Sequence, residues 1–178
     1  MRIVGGEYGG RRVKAPQGRG TRPTPERVRE AIFSILADIA GVRVLDLFAG
    51  SGALGLEALS RGAAHATFVD NDPAATDTIA DNLASLGLEA GARIVADDAI
   101  SALAGPARFD LVFVDPPYAQ AATLGPALAL ALPAVLSAGA RVVGESDRRA
   151  PLELGLPLRL ERRYGDTLLR IYAVENHD

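Results

Sequence analysis

Asp46-Leu47-Phe48-Ala49-Gly50-Ser51-Gly52 ends the apolar run Val42 to Leu47 and leads into a helical pattern from Ala53 to Arg61. Extended with Ala53, Leu54 and Gly55, it satisfies G-x-G-x-x-G between a strand and a helix. Asp70 follows about twenty residues on, at the end of the strand Thr67-Phe68-Val69, where an acid can accept both hydroxyls of a ribose. Glycine lets a backbone approach such a ligand closely. The spacing therefore predicts a nucleoside-binding turn at the head of an α/β fold.

The rest of the chain extends that pattern. Asp72-Pro73 starts a helix running to about Leu86, and Arg93-Ile94-Val95 leads to Asp98 and a short helix through Leu103. The run Phe109 to Val114 is followed by a helix from about Ala121 to Leu136. Ala140 to Gly144, Leu158 to Arg162 and Thr167 to Val174 complete the strands. Near-continuous apolar strands between helices indicate a buried, mostly parallel sheet. The last two strands, joined at Tyr164-Gly165-Asp166, read as antiparallel. Before the sheet, Thr24 reads as N-cap and Pro25 as the first residue of a helix. Its stripe is Val28, Ala31, Ile32, Ile35 and Leu36, with Arg27, Arg29 and Glu30 off it.

Composition excludes several chemistries. The chain has 178 residues, no cysteine and only two histidines, His65 and His177, in no ligand-like spacing. Disulfides, a thiolate nucleophile and a zinc site are not expected, and no metal is assigned. No signal-like or membrane-spanning apolar stretch is present, so a cytoplasmic protein with no membrane partner is expected.

The net charge of −3 is unevenly spread. Residues 1–30 carry eight basic side chains against Glu7, Glu26 and Glu30, whereas the remainder carries 11 basic and 19 acidic ones. A basic arm on an acidic body suits a polyanion. The arm begins as a short hairpin, Arg2-Ile3-Val4 with Arg12-Val13-Lys14, followed by a glycine- and arginine-rich connector from Pro16 to Pro23. Residues 1–23 are expected to form the RNA-binding arm and 24–178 the catalytic domain. Arg2, Arg11, Arg12, Lys14, Arg22, Arg27 and Arg29 are the phosphate-binding candidates.

Asp46 distinguishes between cofactors. An acid just before the loop would repel a pyrophosphate and suits a cationic sulfonium, which favours S-adenosylmethionine over a nicotinamide dinucleotide. Asp98 could take an adenine amino group or act only as a helix cap. The expected cofactor-binding set is Asp46, Phe48, Gly50, Ser51, Gly52, Asp70, Asn71, Asp98 and Ala99.

The run Phe109 to Val114 ends in Asp115-Pro116-Pro117-Tyr118. An exocyclic amine on a base is a poor nucleophile because its lone pair is delocalised. Acceptors on its two N–H bonds would favour attack on a methyl and stabilise the positive charge that develops. The Asp115 carboxylate and the Pro116 carbonyl can be those acceptors, since Pro117 holds Pro116 extended and neither proline has an N–H. Tyr118 can stack on the base. Asp115, Pro116 and Tyr118 are the catalytic candidates.

Arg2-Ile3-Val4-Gly5-Gly6, Thr21 to Thr24 with Arg27 to Glu30, Asp46 to Leu59 and Phe113 to Tyr118 together resemble the small-subunit (16S) ribosomal RNA methyltransferase D family. The resemblance covers almost the whole chain, though Asp70 stands where the family often has glutamate. It implies a seven-stranded, Rossmann-like class I S-adenosylmethionine-dependent methyltransferase fold with a small N-terminal hairpin extension. It also implies methyl transfer to the N2 amine of a guanine in 16S rRNA, in the 30S subunit or its assembly intermediate; a monomer is expected. Asp-Pro-Pro-Tyr alone also fits adenine-N6 DNA methyltransferases. A nicotinamide-dependent oxidoreductase would leave Asp115 to Tyr118 and the basic arm without a role, and a non-catalytic RNA chaperone using the same arm is a further alternative.

Overall fold

The structure, a computed structural model, describes residues 1–16 and 24–175. The connector after Pro16, Arg22 and His177 lie outside the described residues, as does the side chain of Tyr118.

The elements run α1 (Glu26–Leu36), β1 (Arg43–Leu47), α2 (Ala53–Ser60), β2 (His65–Asp70), α3 (Pro73–Leu86) and β3 (Ala92–Ala96). They continue with α4 (Ala99–Ala102), β4 (Phe109–Val114), α5 (Tyr118–Ala131), β5 (Leu136–Asp147), β6 (Leu158–Tyr164) and β7 (Thr167–Ala173). The strands form one seven-stranded sheet in the order β3-β2-β1-β4-β5-β7-β6. β1 to β5 pair in parallel, and β7 lies antiparallel between β5 and β6. The chain order reverses between β1 and β4, so a crevice opens at the carboxyl ends of those two strands.

The central strands β1, β2 and β4 are covered on both faces, which is why they are almost continuously buried and mainly apolar, whereas the edge strands β3 and β6 are half-buried or exposed. Val44, Leu111 and Phe113 face α1, α2 and α3, whereas Leu45, Leu47, Val112 and Val114 face α4 and α5. Gly55 serves this packing: a Cβ there would lie 2.3 Å from the Phe68 ring. No helix among the described residues is long and apolar enough to cross a membrane.

Three expectations are corrected. α1 starts at Glu26, and Pro25 occupies its N-cap without a side-chain cap bond. Thr24 is buried and turns its hydroxyl elsewhere. The buried face of α1 comprises Val28, Arg29, Ile32, Phe33 and Leu36, while Ile35 is 38% exposed. The face is thus rotated toward Arg29. The helix expected to reach Leu136 stops at Ala131, where a 3-10 turn over Leu132–Val135, containing Pro133, leads into a longer β5.

The first sixteen residues belong to the body. Ile3 and Val13 are buried in the core beside α2 and α3. Val4 and Gly5 donate their amides to the buried Glu57 carboxylate at 2.7 and 2.8 Å. The Tyr8 amide donates to Ser60 Oγ, and Lys14 exchanges two hydrogen bonds with the Asn82 amide. Gly6 has φ +77°, and a Cβ there would lie 2.0 Å from the Ser60 carbonyl oxygen. Only glycine fits that crossing. Residues 1–16 are thus packed on α2 and α3 and do not stand apart from the domain as an arm.

Candidate active site

The crevice holds a cavity of about 410 Å³, within the usual range for a small-molecule site. One end is built by the turn after β1. Asp46, almost fully buried, accepts a hydrogen bond from the Gly55 amide at 2.9 Å. Phe48 takes φ +60°, an uncommon conformation for a side chain of that size. Gly50, at φ +56°, would place a Cβ in open space. Its bare backbone borders the cavity, and its amide donates to Asp70 Oδ2 at 2.8 Å.

The glycines of the motif have different jobs. Gly52 was expected to bind cofactor, but it is not among the lining residues. Its amide donates to the Ala49 carbonyl, and a Cβ there would press on Ile79 and Phe68 at 3.2 Å. It closes the turn and seats α2 on β2. Ser51 does line the cavity and donates its hydroxyl to Met1 Sδ.

Asp70 accepts from the Gly50 amide on one oxygen and from the Asp72 amide on the other. Each carboxylate oxygen keeps a second lone pair for a diol. Asn71 and Asp72 line the same rim. Asp98 accepts from the Ile100 and Ser101 amides at 3.0 Å and from the Ser101 hydroxyl, which holds its carboxyl below the usual range. It is the N-cap of α4, and Ala99 and Ile100 beside it face the cavity.

The other end is built where β4 gives way to α5. Asp115 and the buried Pro116 lie just past Val114, and Pro117 caps α5. The Pro117 carbonyl accepts from the Gln120 amide at 2.8 Å. No hydrogen bond to the Pro116 carbonyl occurs among the described residues. Asp115 Oδ2 lies 3.3 Å from Thr24 Oγ1, which lies 3.0 Å from Glu145 Oε2. Glu145 is on β5 and is 4% exposed. Both carboxyls are pushed up, each chiefly by burial and with the Thr24 hydrogen bond partly opposing the rise. Glu145 and Asp46 raise Asp115 further. Asp46 is itself pushed up to about 8 by burial, with the Gly55 amide lowering it and Asp70 raising it.

Sequence reasoning missed Thr24, Glu145, Gln120 and Leu124. Glu145 had a signal: an acid directly after Val142-Val143-Gly144 in a central strand is rarely left unpartnered. Thr24 was assigned to a helix cap because Pro25 follows it, and nothing local marks it as facing a carboxylate.

The basic candidates divide into two groups. Arg12 and Arg27 are exposed. Arg2 pairs with Glu26 at 3.1 Å, Lys14 pairs with Asp81 at 2.8 Å, and Arg11 donates to the Ser85 carbonyl, all at the surface. Arg29 is corrected. It is 1% exposed and donates to the carbonyls of Arg2 and Thr24, so it cannot meet a phosphate. Its aliphatic stem packs within α1's buried face while its head ties two backbones together.

The family model described as "Conserved hypothetical protein 95" matches residues 1–173. The chain is 39% identical over 180 residues to "Putative rRNA methyltransferase YlbH" of Bacillus subtilis (strain 168), covering 97% of this chain and 98% of that one. It is 50% identical over 121 residues to "Ribosomal RNA small subunit methyltransferase D" of Escherichia coli (strain K12), covering 66% of this chain and 60% of that one. Among solved structures, "Putative methyltransferase yhhF from Escherichia coli" superimposes with a TM-score of 0.86 at 39% identity, over 99% of each chain. An RNA methyltransferase from Salinibacter ruber, in complex with S-adenosyl-L-homocysteine, shares the fold at 19% identity and a TM-score of 0.66, over 88% of this chain and 96% of that one. The fold is the class I methyltransferase fold expected from the sequence.

Proposed function

The chain belongs to the conserved hypothetical protein 95 family, the small-subunit ribosomal RNA methyltransferase D kindred that its sequence resembles, and on that premise we propose that it methylates the N2 amine of a guanine in 16S rRNA. The observation that carries the proposal is a single cavity bordered at one end by Gly50 and Asp70 and at the other by Asp115 and Pro116. The names of the relatives support rRNA, and small-subunit rRNA in one of them, as the substrate class; a particle on the way to 30S is the setting we propose for it. They do not favour an adenine-N6 DNA methyltransferase or a nicotinamide-dependent oxidoreductase.

The residues present suit S-adenosylmethionine. Gly50 leaves room against the backbone, Asp70 offers lone pairs to a ribose diol, and Asp46 favours a cation at the cavity floor. When bound, the cofactor supplies an electrophilic methyl group. At the other end, the Asp115 carboxylate and the Pro116 carbonyl accept the two N–H bonds of the target amine. That hold directs the nitrogen lone pair out of the base plane and stabilises the charge that develops. Tyr118, opening α5, supplies the stacking face. Asp115 can then take a proton from the methylated nitrogen.

Mass-spectrometric mapping of 16S rRNA from cells with and without the gene tests the proposal. One N2-methylguanosine should disappear when the gene is removed, and an unchanged modification map would end this reading.

Cofactor binding should depend on pH in a way that reports Asp46. In the free protein its carboxyl is mainly neutral below about pH 8. A sulfonium favours the ionised form, so binding releases a proton below that pH. Affinity for S-adenosylmethionine should therefore rise with pH up to about 8 and level off above it. The neutral thioether S-adenosylhomocysteine should give a flatter profile. Calorimetry of both ligands in buffers of different ionisation enthalpy reads the proton directly, and equal profiles would remove Asp46 from the cation site.

RNA contact by the arm is best tested with exposed residues that hold nothing else in place. Arg12→Ala and Arg27→Ala should each flatten the logarithmic salt dependence of RNA affinity by about 0.7 per lost phosphate contact. Their melting temperatures should stay at the wild-type value. An unchanged slope in both variants would make that surface a solvated one.

A further inference from the structure

The line Asp115–Thr24–Glu145 contains more acceptors than its one hydroxyl can serve. Thr24 Oγ1 is 3.0 Å from Glu145 Oε2 and 3.3 Å from Asp115 Oδ2. A hydroxyl carries one proton, so it donates to one of these oxygens and can only accept toward the other. The second contact is favourable only when the second carboxyl carries a proton of its own. Two unprotonated carboxylates on one buried hydroxyl would repel each other with little screening. Burial raises both carboxyls, in agreement with that count.

Among the described residues, no cation pairs directly with the cluster. From β1 comes Asp46, another acid. From α1 comes Arg29, but its Nη1 is committed to the Thr24 carbonyl at 3.0 Å. From β7, the residue opposite Glu145 is the uncharged Leu169. The first turn of α5 brings Ala119 and Gln120, neither of them ionisable.

We propose that Thr24 and Glu145 are positioning residues for Asp115, and that the three groups hold one proton in common and pass it along the Thr24 hydroxyl. Its purpose rests on the amine-methylation reading above, but its geometry does not. With the proton on Asp115, that group is a donor and cannot receive an amine N–H. As an amine arrives, the Asp115 O–H bond breaks and its proton joins Thr24 Oγ1. At the same time the original Thr24 proton leaves to Glu145 Oε2. Asp115 becomes the carboxylate and Glu145 the neutral acid, with no proton entering or leaving the cluster. After methyl transfer, an N–H bond of the product breaks and its proton goes to Asp115. One proton then leaves through the cavity to water, which restores the starting state.

The test compares wild type with Glu145→Gln, Thr24→Val and Thr24→Ser. Infrared difference titration of the free protein should show two coupled carboxyl steps in wild type and one in Glu145→Gln, because an amide cannot hold the shared proton. With saturating S-adenosylmethionine, the acid limb of the pH–rate profile should simplify in the same way. Thr24→Val should lower kcat about 10-fold or more with the KM for cofactor kept, and Thr24→Ser should recover most of that loss. A Glu145→Gln protein that titrates like wild type overturns the proposal. So does a Thr24→Val protein with an unaltered pH–rate profile and only a lower melting temperature. Should Thr24→Val not fold, the titration of Glu145→Gln still decides. Absence of methyl transfer by wild type to any 16S substrate would sink the functional reading instead, while the titration of the free protein would still test the shared proton.

Discussion

Replacing Asp115 with alanine should lower turnover about 10²-fold or more while leaving affinity for S-adenosylmethionine nearly unchanged. The carboxylate meets the target amine, and its hold on the N–H bond strengthens as positive charge develops on nitrogen. An interaction of that kind appears in kcat and not in cofactor binding. The loss should not be a folding defect. The Asp115 carboxyl lies well above its ordinary value, through burial first and then Glu145. A raised acid contributes its stability in the neutral form, fully below the unfolded value of 3.8 and decreasingly as pH rises through the folded one. Removing it should therefore leave the melting temperature at pH 8 equal to or above that of wild type. Single-turnover methylation, calorimetry and a melting curve on one preparation check all three. Near-normal turnover would reduce Asp115 to a residue that ends a strand.

Removing the first sixteen residues should have an equally large effect, on folding rather than chemistry. Glu57 is fully buried and accepts from two amides of that segment, and among the described residues Arg61 is the partner that remains once they are gone. Each hydrogen bond to such a group contributes about 1.5–3 kcal/mol. Loss of Ile3 and Val13, 2% and 6% exposed, removes side chains from the core of α2 and α3, at a further cost of about 2 kcal/mol or more. Against a typical stability of about 5–15 kcal/mol, the truncated chain should be unfolded or aggregated near 37 °C. Urea unfolding of whole and truncated chains decides it, and matching midpoints would show that the segment is not needed for the fold.

The sheet was legible because its central strands are apolar on both faces and its breaks carry glycine, proline or aspartate. Asp72-Pro73 and Tyr164-Gly165-Asp166 marked a cap and a turn from local chemistry alone. The glycine loop and the acid of β2 were likewise written into one continuous stretch. What was not legible depends on partners far along the chain. Arg29 reads as a surface cation until the carbonyls of Arg2 and Thr24 converge on it. Thr24 reads as a cap until β4 and β5 bring Asp115 and Glu145 to its hydroxyl, 91 and 121 residues away. The basic arm reads as an appendage because its anchors, Glu57, Ser60 and Asn82, belong to helices that the arm's own sequence does not announce.

Those anchors also bear on the time course of folding. The bonds from Val4, Gly5 and Lys14 close separations of 53, 52 and 68 residues. Contacts of such span form slowly, because much of the chain must already be ordered before they compensate for the closure entropy. The opening segment is thus seated after α2 and α3 have packed on β1 and β2. On that order of events the opening segment is a latch, whose amides reach Glu57 over helices already in place.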